Sequence, residues 1–353
     1  MSIRGLFLNR FYRLKDLWRM RPFVRAFLLR VFKPRVFWNL LLYRCSLMLR
    51  REKVRHKPFY AMLEPSSRCN LQCRMCWRTL YSFNREQCDM PLEKFKGIVD
   101  QLKQELVFIA LWNYGEPLLN ADIGEMVKCC TKEGVLTVLS TNGQLLDEVM
   151  GLKLIKAGLT YLIVAVDGMT PDVYEAYRRG GDFLKLETQI TSLSRLKKET
   201  HSDFPVIELQ FIVMRGNEHQ VDLFVERARA WGADRVTLKK FNTLYHSRVG
   251  QDMAPRQDQY MAEGFHPKGR GRRQFCPAPW QGLVINADGG VVPCCEDYFS
   301  RQPLGCVSGK NLDALWNGEA YAGLRKAMRQ DGSGLNMCQD CPRASGRSLF
   351  VRQ

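Results

Sequence analysis

Six short apolar runs, each followed by a stretch with helical periodicity, constrain the fold of this 353-residue chain more than any other feature. The runs occupy residues 59–65, 106–115, 135–143, 159–168, 206–214 and 234–241. The helical stretches occupy residues 91–105, 121–133, 145–157, 171–199 and 218–231. Strands that alternate with helices in this way pair in parallel through right-handed crossovers. Because six units are too few to close an eight-stranded barrel, the sequence predicts an α/β fold built on a partial (β/α)6 TIM-like barrel.

The rest of the chain divides into segments around this barrel, which we assign to residues 58–245. Residues 246–275 form a predicted linker, and residues 276–353 form a predicted small α+β subdomain. In that subdomain "LVINADGGVVP" has the central turn of a β-hairpin. The stretch "NLDALWNGEAYAGLRKAM" has helical periodicity and begins with a candidate cap, Asn311.

Residues 1–57 form a separate basic segment. They contain 16 of the 53 Lys and Arg residues and 2 of the 36 Asp and Glu residues, and so carry +14 of the net charge of +17. Large apolar residues recur among the arginines at three- and four-residue steps, which predicts amphipathic helices with a basic flank.

Basic amphipathic helices of this kind have several uses. They lie in the interface of an anionic membrane, pack on the body of the protein, act as a targeting presequence, or contact RNA. No secretory signal is apparent, and no nucleic-acid-binding module is recognisable, so we expect no nucleic acid partner. The sequence predicts a cytoplasmic protein that contacts the membrane surface through residues 1–50.

Polar residues follow the predicted strands, and the carboxyl ends of parallel barrel strands share one rim where active sites form. Three cysteines follow the first strand, "NYGEP" ends the second, "STNG" the third and "VDG" the fourth. Lys239 and Lys240 end the sixth strand, while Glu208 and Gln210 lie on the fifth. Alternation along a strand means that only one of the two lysines points into the barrel. Lys239, Lys240 and Gln210 are therefore candidate catalytic residues.

The cysteines of "SSRCNLQCRMCWR", Cys69, Cys73 and Cys76, stand without a nearby fourth. Structural zinc sites and ordinary iron–sulfur clusters take four protein ligands. Three thiolates on a [4Fe–4S] cubane leave one iron able to bind a small molecule. The alternative is a zinc site or a structural iron–sulfur site.

The spacing Cys69-x3-Cys73-x2-Cys76 resembles the signature of the radical S-adenosylmethionine (SAM) superfamily, and the resemblance extends over residues 59–343. It implies that these cysteines hold a [4Fe–4S] cluster that reductively cleaves SAM to a 5′-deoxyadenosyl radical, which abstracts hydrogen from a substrate. "YGEP" resembles the Gly-Gly-Glu-Pro motif that holds the methionine amino group, with Tyr114 in place of the first glycine. The cofactor contacts that the resemblance implies are Met75, Gly115, Glu116, Pro117, Ser140, Asn142, Asp167 and, for the methionine carboxylate, Arg178.

A second set of cysteines follows the predicted linker. Its members are Cys276, Cys294 or Cys295, Cys338 and Cys341. A hairpin that supplies two ligands and a Cys-x2-Cys loop that supplies two more make a closed four-thiolate site, which suits zinc as well as iron. The segment resembles the shortened SPASM, or twitch, region that follows many radical SAM barrels. This resemblance implies one auxiliary [4Fe–4S] cluster, and so two such clusters in the chain.

A closed auxiliary cluster cannot bind substrate through iron, but it can accept an electron. Hydrogen abstraction from a carbon that bears a hydroxyl, followed by loss of the hydroxyl proton to a base and transfer of one electron to that cluster, would give a ketone. The leading hypothesis is an oxidoreductase for a polar small molecule, such as a sugar, cyclitol or saccharide-linked compound, with a flavodoxin- or ferredoxin-type reductant. A lipid-linked substrate would account for the basic segment. The alternatives are modification of a ribosomal peptide by a crosslink, thioether or epimerisation, and a non-catalytic iron–sulfur electron-transfer scaffold.

Overall fold

Nine strands form one continuous sheet in the residues that the structure describes. The structure is a computed structural model, and it describes residues 18–81, 85–241, 250–261, 275–307, 311–330, 335 and 338. The strands are β1 (Tyr60–Leu63), β2 (Phe108–Leu111), β3 (Leu136–Thr141), β4 (Tyr161–Ala165), β5 (Val206–Ile212), β6 (Arg235–Lys239), β7 (Gly282–Ile285), β8 (Gly290–Val292) and β9 (Gly305–Cys306). Their spatial order is β6-β5-β4-β3-β2-β1-β7-β8-β9.

The pairing of these strands follows the predicted alternation of strands and helices. From β6 to β7 all neighbours are parallel, and the two remaining pairs are antiparallel. The sheet is open, because β6 and β9 are its edges. The α/β class is thus confirmed, and the open parallel sheet is compatible with a partial TIM-like barrel. The predicted C-terminal hairpin is β7–β8, and it continues the barrel sheet by pairing with β1.

Helices connect and flank the strands within the described ranges. They are α1 (Arg21–Val31), α2 (Pro34–Met48), α3 (Trp77–Leu80), α4 (Leu92–Leu102), α5 (Ile123–Lys132), α6 (Glu148–Ala157), α7 (Pro171–Tyr177), α8 (Phe183–Glu199), α9 (Val221–Ala230), α10 (Ala278–Gln281), α11 (Leu312–Trp316) and α12 (Glu319–Arg329). None of these helices is long and apolar enough to cross a membrane.

Two predicted helices are each divided in the structure. The helix expected at residues 171–199 consists of α7 and α8, because the chain turns at Gly180, which has φ +86°. The side chain of Asp182 then accepts a hydrogen bond from the amide of Lys185 and caps α8. The helix expected after Asn311 consists of α11 and α12, and Asn311 caps the first of them by accepting from the amide of Asp313.

The predicted domain limits stay predictions. Of the predicted linker, residues 246–275, the structure describes 250–261 and 275, including short 3-10 turns at Gln251–Met253 and Asp258–Tyr260. The pairing of β1 with β7 carries the sheet across the predicted boundary between barrel and subdomain.

Helices α1 and α2 cover the amino ends of the barrel strands. Phe23 of α1 packs edge to face on Tyr161, the first residue of β4, with ring centroids 5.1 Å apart. Tyr43 of α2 packs on Phe59, which directly precedes β1, at 4.7 Å. Residues 18–48 therefore pack on the body, as one of the alternatives for the basic segment expected. The amphipathic helix predicted within residues 1–17 lies outside the described residues.

Candidate active site

The loop after β1 carries Cys69, Cys73 and Cys76 at the carboxyl rim of the barrel. The side-chain amide of Asn142, which follows β3, approaches the Cys69 sulfur with Nδ2 and Sγ 4.0 Å apart. The guanidinium of Arg178, which follows α7, approaches the Cys73 sulfur with Nη1 and Sγ 3.8 Å apart. The rim thus brings together the cysteine loop and two of the predicted cofactor contacts.

The chemistry of these thiols fits an iron–sulfur cluster. Burial raises the pKa of Cys69 to about 11 and also raises the pKa of Cys73. Thiols in such surroundings hold their protons at neutral pH, and a bound cation is what would keep them as thiolates. Soft sulfur donors select iron–sulfur clusters or zinc over hard cations. The donor set therefore matches the first cluster that the resemblance implies.

Gly115 allows the loop after β2 to lie directly on the cysteine loop. A Cβ at this position would overlap the carbonyl oxygen of Ser66 and lie 2.7 Å from that of Arg68. The amide of Glu116 donates to the same Arg68 carbonyl at 2.7 Å. Pro117 then opens a 3-10 turn. Only glycine permits this approach of two backbones, which gives the glycine of "YGEP" a structural reason.

The carboxylate of Glu116 is buried at the point where the ends of β2 and β3 meet. It accepts hydrogen bonds from the amide of Leu118 at 3.1 Å, the hydroxyl of Thr141 at 2.7 Å and the amide of Asn142 at 2.8 Å. Burial raises the pKa of Glu116. A carboxylate has about four acceptor sites, so these three donors leave capacity for one more, such as an amino group.

Asp167 and Arg178 form a buried pair beside Cys73. Asp167 has φ +55°, and its carboxylate accepts from the amide of Ile212 at 2.6 Å. It also accepts from Nε of Arg178 at 2.9 Å and from Nη2. Asp167 therefore fixes the orientation of the guanidinium and leaves the Nη1 side directed towards the cysteine loop.

Two other predicted cofactor contacts have different surroundings. Met75 is half-buried and packs on a small apolar cluster that includes Met214, Phe241 and Met253. Ser140 lies near the carboxyl end of β3, where its register partner is Ile163 of β4. That register places Ser140 on the same face of the sheet as Ile163 and, through Ile163, as Glu208 of β5.

Two members of the second set of cysteines, Cys294 and Cys295, follow β8 of the hairpin, and a shared site for the whole set stays a prediction. Cys276, Cys294, Cys295 and Cys338 are all half-buried, whereas Cys341 lies outside the described residues. Burial raises the pKa of Tyr321 of α12, and the negative charge of a Cys294 thiolate nearby would raise it further. The backbone carbonyl of Cys295 accepts a hydrogen bond from the hydroxyl of Tyr114.

An aromatic cluster connects the two cysteine regions. Trp77, which directly follows Cys76, stacks on Tyr298 with ring centroids 5.5 Å apart. Tyr298 also meets Tyr114 edge to face at 4.5 Å. Sequence reasoning missed this cluster, although an aromatic residue next to each cysteine motif was a readable signal. Tyr114, which replaces the usual glycine, thereby links the "YGEP" loop to the second cysteine region.

Glu64 is a further residue that sequence reasoning missed. It is buried directly after β1, and its carboxylate forms two hydrogen bonds with Arg85, at 3.1 and 3.2 Å. It also accepts from the amide of Tyr114 and from the amide of Ala287 in the hairpin, each at 3.1 Å. A charged residue at the end of an apolar strand was its signal in the sequence.

The barrel interior carries polar side chains from β4, β5 and β6. Glu208 accepts from Gln210 at 2.7 Å and from the hydroxyl of Tyr161, and it lies 3.7 Å from Arg235. Lys239 pairs in register with Ile212, so it shares this interior face with Gln210, and Lys240 points the other way.

Comparison with known proteins gives the family. The model of the "Radical SAM superfamily" matches residues 63–218, and that of the SPASM "Iron-sulfur cluster-binding domain" matches residues 276–342. The PqqA peptide cyclase of Granulibacter bethesdensis is 26% identical over 254 residues, which are 71% of this chain and 63% of the cyclase. The chain thus spans less than two thirds of the length of that relative.

Two solved structures share the fold. BtrN in complex with AdoMet and 2-DOIA has a TM-score of 0.50 at 18% identity, over 84% of this chain and 95% of its own. Streptococcus suis SuiB bound to the precursor peptide SuiA has a TM-score of 0.59 at 14% identity, over 85% of this chain and 74% of its own. The chain therefore carries a radical SAM domain and a SPASM iron–sulfur cluster-binding domain, and these two domains imply a SAM-binding [4Fe–4S] cluster and further iron–sulfur clusters.

Proposed function

We propose that this radical SAM enzyme is an oxidoreductase that removes hydrogen from a polar small molecule, such as a sugar, a cyclitol or a saccharide-linked compound. The observation that carries the proposal is the meeting of the three-cysteine loop with Glu116 and the Asp167–Arg178 pair at one rim. The second cysteine region approaches the same rim through Tyr114.

Different residues would hold the two clusters and SAM. Cys69, Cys73 and Cys76 would hold the first cluster, and Cys276, Cys294 or Cys295, Cys338 and Cys341 would hold the second. When bound, the first cluster supplies the electron that cleaves SAM to a hydrogen-abstracting radical, and the second supplies an electron acceptor. Glu116 offers its remaining acceptor site to the methionine amino group, and Asp167 holds Arg178 ready for the methionine carboxylate.

Oxidation of an alcohol also requires a group that takes the hydroxyl proton. Register places Lys239 on the interior face, which favours it over Lys240 as that group. Gln210 has no basic atom, and its amide already donates to Glu208, so we assign it to binding rather than proton transfer. The interior polar side chains make this end of the barrel suited to hydroxyl groups.

Modification of a peptide is the second candidate, and the relatives favour it. SuiB is bound to a precursor peptide, and the cyclase is named for the peptide PqqA. Here the same residues would hold the cofactors, and the substrate at the rim would be a polypeptide segment rather than a sugar.

Anaerobic reconstitution tests the proposal in two stages. We expect about eight irons per chain, and a change in the electron paramagnetic resonance spectrum of the reduced protein when SAM is added. About four irons, or a spectrum that SAM leaves unchanged, would contradict the assignment of cofactors. Formation of 5′-deoxyadenosine with sugars and cyclitols, but not with peptides, separates the first candidate from the second.

The partners follow from the same proposal. A flavodoxin- or ferredoxin-type protein would supply the electron that starts the reaction, in the cytoplasm. The basic N-terminal helices would bring the enzyme to the cytoplasmic face of a membrane.

A further inference from the structure

The exposed apolar residues of this protein are concentrated in one place. Of the twelve large apolar side chains that are exposed among the described residues, ten lie between residues 18 and 49. They are Trp18, Val24, Leu28, Leu29, Phe32, Phe37, Trp38, Leu41, Met48 and Leu49. We call this set the N-terminal apolar face. Water-exposed apolar groups on this scale mark a binding surface.

Each of the two N-terminal helices has a second apolar stripe besides the one that packs on the barrel. In α2 the buried residues Val36, Asn39 and Tyr43 face the body, at helical spacing. The exposed residues Trp38 and Leu41 of the same helix lie on its outer side. Since one stripe is enough to hold a helix on a protein core, the second stripe has another use.

The charge around the N-terminal apolar face has one sign. Residues 17–51 contain nine Lys and Arg residues and no Asp or Glu. Arg25 and Arg44 are exposed among the apolar side chains. The stacked rings of Phe32 and Phe37, 6.3 Å between centroids, stand exposed where α1 meets α2. Aromatic rings and arginines side by side suit the headgroup level of a bilayer.

We infer that the N-terminal apolar face binds an anionic phospholipid membrane, with α1 and α2 lying in the plane of the interface. Charge complementarity selects this occupant. A second copy of the chain would bring an equally basic face, and residues 1–17, with four Lys and Arg and one Asp, carry the same sign. Anionic headgroups compensate the arginines while the acyl chains take up the apolar side chains.

This surface lies at the opposite end of the barrel from the candidate active site. Phe23 and Tyr43 contact residues at the amino ends of β4 and β1, whereas the cysteine loop follows the carboxyl end of β1. Binding through α1 and α2 therefore leaves the rim facing the aqueous phase. The membrane contact localises the enzyme, and it does not depend on the reaction proposed above.

Vesicle sedimentation of the full chain tests the inference without substrate. We expect binding to vesicles of phosphatidylcholine with phosphatidylglycerol, weak binding to phosphatidylcholine alone, and weaker binding as salt rises. Leu29→Ser with Trp38→Ser, at residues 64% and 62% exposed, should lower the partition coefficient on the order of a hundredfold. Arg25→Gln with Arg44→Gln should lower it about 25-fold.

The barrel supplies a matched control. Val149 of α6 and Leu184 of α8 are the other two exposed apolar residues among those described, at 79% and 63%. Val149→Ser with Leu184→Ser should leave vesicle binding unchanged. Equal losses in this control and in the Leu29→Ser, Trp38→Ser variant, or no binding by the unmodified protein, would overturn the inference.

Tryptophan fluorescence gives a second measurement that needs only a conservative change. Of the seven tryptophans, all of them described, Trp18 and Trp38 are the exposed ones. Brominated phosphatidylcholine in the anionic vesicles should quench part of the fluorescence, and Trp38→Phe should reduce the quenched part. A concentration-dependent dimer in sedimentation velocity, abolished by Leu29→Ser with Trp38→Ser and accompanied by no quenching, would instead assign the face to a second copy.

Discussion

The structural role of Gly115 depends on one atom that it lacks, the Cβ. The loop after β2 and the cysteine loop approach until their backbones touch, and the hydrogen bond from Glu116 to the carbonyl of Arg68 forms only at that separation. Glu116 then reaches the end of β3, where Thr141 and Asn142 bind its carboxylate. One missing methyl group thus sets the position of the residue that we assign to the methionine amino group.

Gly115→Ala should displace this loop. Overpacking typically destabilises a protein by about 1–3 kcal/mol, and here the displaced atoms also belong to the cysteine loop. We expect a lower melting temperature, less iron after reconstitution and weaker SAM binding. Gly97→Ala is the matched control, because a Cβ there meets nothing within 4 Å and lies within α4. It should stabilise the helix slightly; equal behaviour of the two variants would refute the close-approach argument.

At the scale of the element, Arg30 fastens α1 to the barrel. Its buried guanidinium donates to the carbonyl oxygen of Leu106 at 2.7 Å, to that of Glu133 at 3.0 Å, and to that of Lys103. These carbonyls lie just beyond the C-termini of α4 and α5, where helices leave acceptors without partners. A single side chain therefore caps two helices and holds a third.

Arg30→Met should remove these bonds while keeping the aliphatic stem. Because three carbonyls lose a charged donor, we expect the free energy of unfolding in urea to fall by about 3 kcal/mol or more. Hydrogen exchange of α1 should rise more than that of the central strands. Arg25→Met, on the exposed side of the same helix, should leave both measurements unchanged. Equal exchange in the two variants would show that Arg30 does not hold the helix.

His56 connects α2 with the C-terminal elements and makes their packing sensitive to pH. Its Nε2 donates to the carbonyl of Trp280 at 2.8 Å, and its Nδ1 lies 3.1 Å from the hydroxyl of Ser46. Burial lowers the pKa of His56 to about 4; the hydrogen bond to the Trp280 carbonyl raises this pKa, and the positive charge of Arg325 lowers it. The folded protein therefore keeps a neutral imidazole at neutral pH.

The sign of the pH effect follows from this lowered pKa. Between about pH 6.5 and about pH 4 the unfolded chain binds a proton at His56 that the folded chain does not. The contribution of the neutral His56 to the free energy of unfolding should be fully present above that window. About 3 kcal/mol of it should be lost as the pH falls through the window. Denaturant unfolding against pH measures the slope. His56→Gln should flatten it, whereas the same change at the exposed His201 should leave it intact.

At the scale of the whole molecule, the sequence predicted the site at the carboxyl rim of the barrel. It did not predict the hydrogen bonds and ion pairs that hold the rim together. Strand and helix periodicity placed the six units, and the spacing of Cys69, Cys73 and Cys76 marked the site, because these signals are local. Glu64 and Arg85 are paired by the fold across 21 residues, and Glu64 reaches Ala287 across 223. No short sequence pattern predicts such long-range partners. The break of the long helix at Gly180 was readable, since two adjacent glycines interrupt the helical sequence there.

Glu64 joins the barrel to the hairpin by hydrogen bonds from its side chain. Its carboxylate accepts four hydrogen bonds: two from Arg85, one from the amide of Tyr114 in "YGEP", and one from the amide of Ala287 between β7 and β8. Four donors fill the acceptor sites of a carboxylate, so its buried charge is fully compensated. Loss of that charge would remove the carboxylate that accepts both of these hydrogen bonds from the buried guanidinium of Arg85.

Glu64→Gln should therefore destabilise the protein by about 3–5 kcal/mol, the range for breaking a buried ion pair. Because the amide cannot accept four hydrogen bonds, β7 and β8 should also exchange their amide hydrogens faster. Glu93→Gln removes half of an exposed pair with Lys96 and should change neither quantity. Adding Arg85→Met to Glu64→Gln should cost less than the sum of the single changes, since both changes remove the same ion pair. Simple additivity would mean that the two residues stabilise the fold separately, and that the hairpin is held to the barrel by its strand pairing alone.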